Sequence, residues 1–291
     1  MTNNLLALVR LLRPKQWVKN VFIFAGILFG RKIGDLDLLS SVMLTFMAFS
    51  LMGSSVYVIN DYLDRDADRA HPKKRTRPLA SGAVTPSQGF LAAAVCLSLS
   101  VWAASAVNMR VLIVVLAYLT INCAYSLRLK RFAVVDVFCI ASGFMLRILA
   151  GTWGLYIQPS GWMILSGMFV TLFLGFGKRR AEWVEAGGLT ASRASLDSYS
   201  REMLDTFLAI TATGTVLCYG LYTLDPQTIL THHTTRLIYT VPFVLFCLFR
   251  YLLLIHTSNH GENPTRDVFT DTQLLIGGSG FVAAVLLLTN Y

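Results

Sequence analysis

Apolar residues in this chain come in long blocks rather than in strict alternation, and each block approaches the roughly 20 residues that a helix needs to cross a bilayer. The blocks predict nine helices, at about 17–34, 38–60, 86–107, 110–127, 133–156, 161–177, 203–223, 236–256 and 268–290. Spans three and four are separated only by Asn108-Met109-Arg110, which predicts a tight helical hairpin. Residues 2–13 read as a short, weakly amphipathic segment. After it, Arg13-Pro14-Lys15-Gln16-Trp17-Val18-Lys19-Asn20 places a proline in a first helical turn and a tryptophan with lysines at an interface. Residues 1–12 carry Arg10 behind their apolar stretch and lack a small-residue cleavage pattern, so a removable signal peptide is not expected. The expectation is an all-α, polytopic membrane protein forming a single domain over 1–291.

Composition agrees with the pattern. Of 291 residues, 55% are hydrophobic and 14% charged, with a mean hydropathy of +0.58; soluble domains average about 25% charged residues. The net charge of +9 could suggest nucleic acid, but the basic residues sit in short loops between spans, where they set topology and anchor anionic groups. Nucleic acid is therefore not an expected partner, and nothing in the pattern specifies an oligomer. Arg31, Lys32, Arg110 and Arg236 fall on one side of the predicted bundle, Arg147 and Arg250 within spans, and all other lysines and arginines on the opposite side. That side is expected to be cytoplasmic, the membrane being a bacterial inner membrane. Every chemically equipped loop lies there too, which fits an enzyme fed from one face better than a transporter, whose polar groups must be reachable from both. Cys96, Cys123, Cys139, Cys218 and Cys247 all lie in apolar runs without metal or disulfide spacing, and read as small core residues.

The chemistry concentrates where the second span ends. Asp61, Asp64 and Asp68 are spaced i, i+3 and i+7, so a continuing helix stacks them on one face, with Asn60 bordering it and Asp66 turned away. Three carboxylates on one face repel unless a cation sits among them. Oxygen-only donors suit a hard ion, and Mg²⁺ typically takes one or two carboxylates plus substrate phosphates. The alternative is an ordinary helix end relieved by i,i+4 pairs such as Asp61–Arg65. Directly after come Lys73, Lys74, Arg75 and Arg77, cations suited to phosphate oxygens. Tyr125, Arg128, Lys130 and Arg131 close the fourth span; Lys178, Arg179, Arg180 and Glu182 close the sixth, where Lys178 and Glu182 pair at i,i+4 if helical. Arg147, in the middle of the fifth span, must face the bundle interior or a wet cavity; Arg250 lies close enough to a span end to snorkel. Together these loops form a polar cap suited to one soluble, multiply phosphorylated substrate and one with a lipid tail.

Asn60-Asp61-x-x-Asp64-x-x-x-Asp68 resembles the first aspartate motif of the UbiA superfamily of intramembrane prenyltransferases, and Arg13-Pro14-x-x-Trp17 matches the approach to its first span. The resemblance implies nine helices around a cavity open to lipid, beneath a cytoplasmic polar cap. It also implies Mg²⁺, with Mn²⁺ as an alternative, held through Asp61, Asp64 and Asp68 with Asn60 in support. Quinone- and haem-type members carry a second aspartate-rich motif after the sixth span, where this chain reads Gly177-Lys178-Arg179-Arg180-Ala181-Glu182. That substitution, with Arg13–Asn20 and His71-Pro72-x-Lys74-Arg75-x-Arg77-Pro78, resembles one branch, the decaprenyl-phosphate phosphoribosyltransferases of arabinan precursor synthesis. The branch implies phosphoribosyl diphosphate as donor and a polyprenyl phosphate lipid as acceptor. By position, Lys73, Lys74, Arg75 and Arg77 would hold diphosphate oxygens, and Lys178, Arg179 and Arg180 the ribose 5-phosphate. Lys15, Gln16, Lys19 and Asn20 would hold the acceptor phosphate, and Tyr125, Arg128 and Lys130 either one. The competing readings are an aromatic-acceptor prenyltransferase, which should carry the missing second aspartate pair, and a phosphate or polyprenyl-lipid transporter.

Overall fold

A computed structural model describes residues 2–30, 32, 34–70, 74–185, 195–257 and 270–289, and every regular element among them is helical. The helices are α1 (Thr2–Leu12), α2 (Ala25–Phe29), α3 (Leu36–Leu63), α4 (Arg65–Ala70), α5 (Pro86–Val107), α6 (Met109–Leu127), α7 (Val135–Gly151), α8 (Gly161–Glu185), α9 (Arg201–Leu224), α10 (Pro226–His232), α11 (Val241–Thr257) and α12 (Thr272–Thr289). Eight of the described helices are long and apolar enough to cross a membrane, against nine expected. The difference lies at the first predicted span. Pro14–Phe24 is a 3₁₀ helix that passes into the five-residue α2, so no single long α-helix forms there.

Local signals place the other ends. Asp35 caps α3 by accepting the Leu38 N–H at 3.0 Å. Thr85 and Gln88 form a reciprocal capping box at the start of α5, with Pro86 in the first turn. The predicted hairpin turns at Asn108, whose Oδ1 accepts the Val111 N–H and whose Nδ2 donates to the Gly154 carbonyl. Along α5, Leu91, Val95, Leu99 and Trp102 form an exposed stripe, an apolar surface that water would not tolerate but lipid does.

By internal contacts the chain divides into two compact units. The first comprises residues 1–26, 34–127 and 146–157; the second comprises 27–33, 128–145 and 158–291. In the first, α3 packs chiefly along α5 and also against the 3₁₀ segment and α6. The 3₁₀ segment is tied to α3 by two serines one turn apart. Trp17 Nε1 donates to Ser54 Oγ at 3.0 Å and Asn20 Nδ2 to Ser50 Oγ at 2.8 Å. With three residues per turn, Trp17, Asn20, Ile23 and Gly26 share one edge, and Asn20 and Ile23 are buried on it.

That edge ends in a backbone-to-backbone contact that only glycine permits. A Cβ on Gly26 would lie 1.7 Å from the Gly151 carbonyl oxygen, and one on Gly151 would lie 1.7 Å from the Ile23 oxygen. Gly26→Ala and Gly151→Ala are each expected to cost about 3 kcal/mol, the upper end for overpacking, read as a lowered unfolding midpoint in detergent. Gly220→Ala, in α9 with nothing within 4 Å of the added methyl, should instead stabilise by up to about 1 kcal/mol. Equal effects at the three sites would refute the close-packed seam.

In the second unit α8 packs along α9 and α11 along α12. Its core gathers Phe173, Phe176, Leu204, Leu208, Tyr251 and Leu254. Cys96 and Cys218 are buried, and Cys123, Cys139 and Cys247 half-buried, all as free thiols; the core expectation holds fully for two of the five.

Candidate active site

The predicted aspartate helix is nearly continuous. α3 ends at Leu63, Asp64 takes φ −92° and ψ 4° as its C-cap, and α4 begins at Arg65. The i−4 hydrogen bonds persist across this joint, from Asp64 N–H to the Asn60 carbonyl at 2.9 Å and from Asp68 N–H to the Asp64 carbonyl at 2.8 Å. Asp61 and Asp68 therefore keep a common face and both are buried, at 3% and 4% exposure. Asp64, at the joint, is half-buried. Asp66 turns outward, with its side chain 84% exposed beside Arg65 and Arg69.

The cations among the buried carboxylates come from far along the chain, not from the i+4 Arg65. Arg77 Nη1 bridges Asp61 Oδ1 at 3.1 Å and Asp68 Oδ2 at 2.7 Å, while Arg13 Nη2 donates to the same Asp61 oxygen at 2.6 Å. Arg13 reaches it from a left-handed backbone conformation, φ 52° and ψ 55°, which costs a non-glycine residue about 1–2 kcal/mol. The ion pair and the stacking of its guanidinium 4.9 Å over the Tyr57 ring offset that cost. Asp61 Oδ2 is buried and has no hydrogen-bond partner among the described residues, so these leave one oxygen of a desolvated carboxylate unsatisfied. Among the described residues no three His, Cys, Asp or Glu side chains converge as a complete metal-ligand set. Asp61, Asp64 and Asp68 therefore do not converge as such a group.

Around this centre, Asn60 Oδ1 accepts the Ser126 hydroxyl of α6, a partner that sequence reading missed although it singled out the neighbouring Tyr125, which is half-buried. The basic stretch divides. Arg77 folds back onto the aspartates, Lys74 and Arg75 sit exposed on a short 3₁₀ turn, and Lys73 lies outside the described residues.

Deeper in the same unit, residues 15–20 follow the 3₁₀ register. Lys15 is exposed, on the edge it shares with Val18 and Val21, whereas Gln16 and half-buried Lys19 share another. Arg147 does face inward, at 6% exposure. Its Nε donates to Asn20 Oδ1 at 2.6 Å and its Nη2 to the Tyr118 hydroxyl at 3.3 Å. Its guanidinium lies 4.8 Å from the Tyr118 ring centroid and 5.7 Å from that of Phe49.

In the second unit, the basic motif on α8 sits within a buried charge network. Arg179, with no exposed surface, places Nε 2.6 Å from Asp136 Oδ2 and also pairs with Glu182. Arg180 Nε lies 2.5 Å from Asp205 Oδ1, and its Nη1 donates to the Ile255 carbonyl at 2.7 Å. Lys178, half-buried, makes the predicted contact with Glu182 at 3.8 Å. Asp136 accepts the hydroxyls of Ser195 and Tyr199, each at 3.1 Å. Tyr199 in turn accepts the N–H of Val134, a β-branched residue held at φ 66°, where only strong local support keeps such a side chain. Burial, with the Val134 hydrogen bond opposing and Asp136 adding, pushes the Tyr199 hydroxyl up to about 12. The loop that Val134 ends carries exposed Arg128 and half-buried Lys130. Arg250 forms a two-point ion pair with Asp271, at 3.2 and 2.7 Å, rather than snorkelling unpaired. Ser195, Tyr199 and Asp205 carried no sequence signal; Asp136 carried only its place one turn into a span.

Comparison with known proteins matches residues 20–270 to the UbiA prenyltransferase family. Curated relatives include the decaprenyl-phosphate phosphoribosyltransferase of Mycobacterium tuberculosis, 38% identical over 229 residues, covering 76% of each chain. The protein of the same name from Corynebacterium glutamicum is 32% identical over 291 residues, covering 96% of this chain and 86% of that one. Among solved structures, a UbiA homologue from Archaeoglobus fulgidus bound to GPP and Mg²⁺ superposes with a TM-score of 0.73 at 20% identity, covering 98% of this chain and 100% of that one. At that identity the likeness establishes the fold.

Proposed function

The chain belongs to the UbiA prenyltransferase family, a multi-pass membrane protein, and from that premise we propose that it transfers 5-phosphoribose from phosphoribosyl diphosphate to a polyprenyl phosphate of the decaprenyl type. The site faces the cytoplasm of a bacterial membrane. The observation that carries this reading is the 32–38% identity, over most of the chain, to proteins named for that reaction. It is supported by Lys178, Arg179 and Arg180 at the position where quinone- and haem-type members place a second aspartate motif.

In the transfer, the bond from the ribose anomeric carbon to diphosphate oxygen breaks and its electron pair leaves with the diphosphate. A new bond forms from that carbon to an oxygen of the lipid phosphate. The acceptor is already an anion, so no general base is required; it must be held in line behind the carbon. A divalent cation held by Asp61, Asp64 and Asp68, Mg²⁺ or Mn²⁺, would supply charge neutralisation for the departing diphosphate. The buried, unpartnered Asp61 Oδ2 is the oxygen best prepared to take it. Arg77 and Arg13 hold the other Asp61 oxygen and so fix the orientation of the carboxylate. Exposed Lys74 and Arg75 offer donors to diphosphate oxygens. Arg179 and Arg180 act through the network that fixes α8.

The test is diphosphate release by the purified full chain given phosphoribosyl diphosphate, a polyprenyl phosphate and Mg²⁺. Turnover is expected, abolished by chelation and restored by Mg²⁺ or Mn²⁺. No release, together with transfer from a prenyl diphosphate to an aromatic acid, would overturn the reading.

A further inference from the structure

Ser54, buried on α3, makes contacts that the transfer chemistry does not use. Its Oγ accepts the Trp17 indole N–H at 3.0 Å and offers its proton to the Leu12 carbonyl at 2.8 Å, nearer than the Ser50 carbonyl of its own helix at 3.0 Å. Leu12 ends α1, and the next residue is Arg13, which reaches Asp61 from a left-handed backbone conformation. Pitch sets the register behind this contact. Three residues of 3₁₀ helix rise about 6 Å, as do four residues of α-helix. Asn20 and Trp17 therefore meet Ser50 and Ser54 in step. Three residues of α-helix would advance only about 4.5 Å and fall out of step. On α3, Ser50, Ser54, Tyr57 and Asp61 are four, three and four residues apart and share one face. Arg147 closes one end of this ladder on Asn20 Oδ1, and Arg13, stacked over Tyr57, closes the other on Asp61.

We infer that Ser54 is a positioning residue for Asp61, acting through Trp17, the Leu12 carbonyl and Arg13. The inference rests on the reading of Asp61 as part of a cation and diphosphate site, and adds a residue that touches neither ligand. A left-handed arginine without support relaxes to an ordinary backbone conformation and carries its guanidinium away. Ser54 blocks that relaxation from both sides. Leu11 is buried against Val58, Leu79 and Val84, so the bond to the Leu12 carbonyl fixes the α1 side of Arg13. The indole of Trp17, bound to the same hydroxyl, fixes the 3₁₀ side. Arg13 then joins Arg77 on Asp61 Oδ1, leaving for a ligand Oδ2, which has no partner among the described residues.

Equilibrium binding of inorganic diphosphate with Mg²⁺ to the detergent-purified full chain tests this. Ser54→Ala should weaken binding about fivefold, the scale of one lost hydrogen bond, and Arg13→Gln at least as much. In the Arg13→Gln background, Ser54→Ala should add no more than about twofold, because the residue it positions is gone. Ser100→Ala is the structural control: it deletes another buried hydroxyl, one that donates to the Ala48 carbonyl of α3 at 2.7 Å. It should lower the unfolding midpoint about as much as Ser54→Ala and leave diphosphate binding unchanged. If Ser54→Ala does not fold, Trp17→Phe, which removes the indole donor and keeps a ring, carries the same cycle. Unchanged binding in Ser54→Ala, an equal loss in Ser100→Ala, or the same factor with and without Arg13 would overturn the inference. A wild type that binds no diphosphate would sink the aspartate site and this inference with it. One that binds diphosphate but releases none from phosphoribosyl diphosphate would sink only the transferase reading, and the cycle would still decide the role of Ser54.

Discussion

Asp61→Asn is expected to lower diphosphate release by about a thousandfold while the protein still folds. The size follows from what the residue does: removing one electrostatic stabiliser of developing charge costs roughly 10²–10³ in turnover, and here the lost group is also the anchor for two arginines. Asparagine keeps one oxygen to accept from Arg13 and Arg77, whose side chains are 26% and 29% exposed, so water can take up the remaining donors and folding loss stays small. What disappears is the charge and the buried Oδ2 that has no donor among the described residues. Asp66→Asn is the matched comparison. Its carboxylate is 84% exposed and pairs with Arg65 and Arg69, so activity should stay within twofold. Full activity in Asp61→Asn, or equal losses in the two variants, would remove Asp61 from the reacting site. Asp64→Asn, half-buried at the joint between α3 and α4, should also lower diphosphate release if it shares the proposed cation.

The features that the sequence made legible are those set by spacing within one helix. Asp61 and Asp68 share a face and Asp66 does not; Lys178 meets Glu182; the turn falls at Asn108; Arg147 points inward. Each follows from helical periodicity and the cost of burying charge. What stayed hidden was set by contacts between distant segments. Nothing in residues 14–24 distinguishes a 3₁₀ from an α-helix by composition; the choice is made by Trp17 on Ser54, Asn20 on Ser50 and Gly26 against Gly151. The partners of Asp61 lie 48 and 16 residues away, beyond any local rule. At Gly177–Glu182 three cations in a row suggest a ligand site, and composition does not disclose that they also have carboxylate partners. Their counter-ions Asp136 and Asp205 sit on other elements, and only the fold brings them together.

Arg179→Met is expected to be the most destabilising single change in the second unit. Arg179 and Asp136 both have no exposed surface, so removing the guanidinium leaves a buried carboxylate held by the hydroxyls of Ser195 and Tyr199. Breaking a buried pair from one side costs about 3–5 kcal/mol, which corresponds to a fall of roughly 10 °C in the unfolding midpoint. Asp136→Asn should cost less, because Glu182 still meets Arg179 and an amide can still take both hydroxyls. The double variant Asp136→Asn with Arg179→Met leaves no stranded charge at this pair, and should recover at least half of the Arg179→Met loss. If Arg179→Met costs less than about 1 kcal/mol, the contact is not a desolvated ion pair, and the motif regains its standing as a direct phosphate ligand. If the double variant recovers the fold but not turnover, the network has a second effect. Tyr199, pinned between Asp136 and the strained Val134, sets the shape of the loop bearing Arg128 and Lys130.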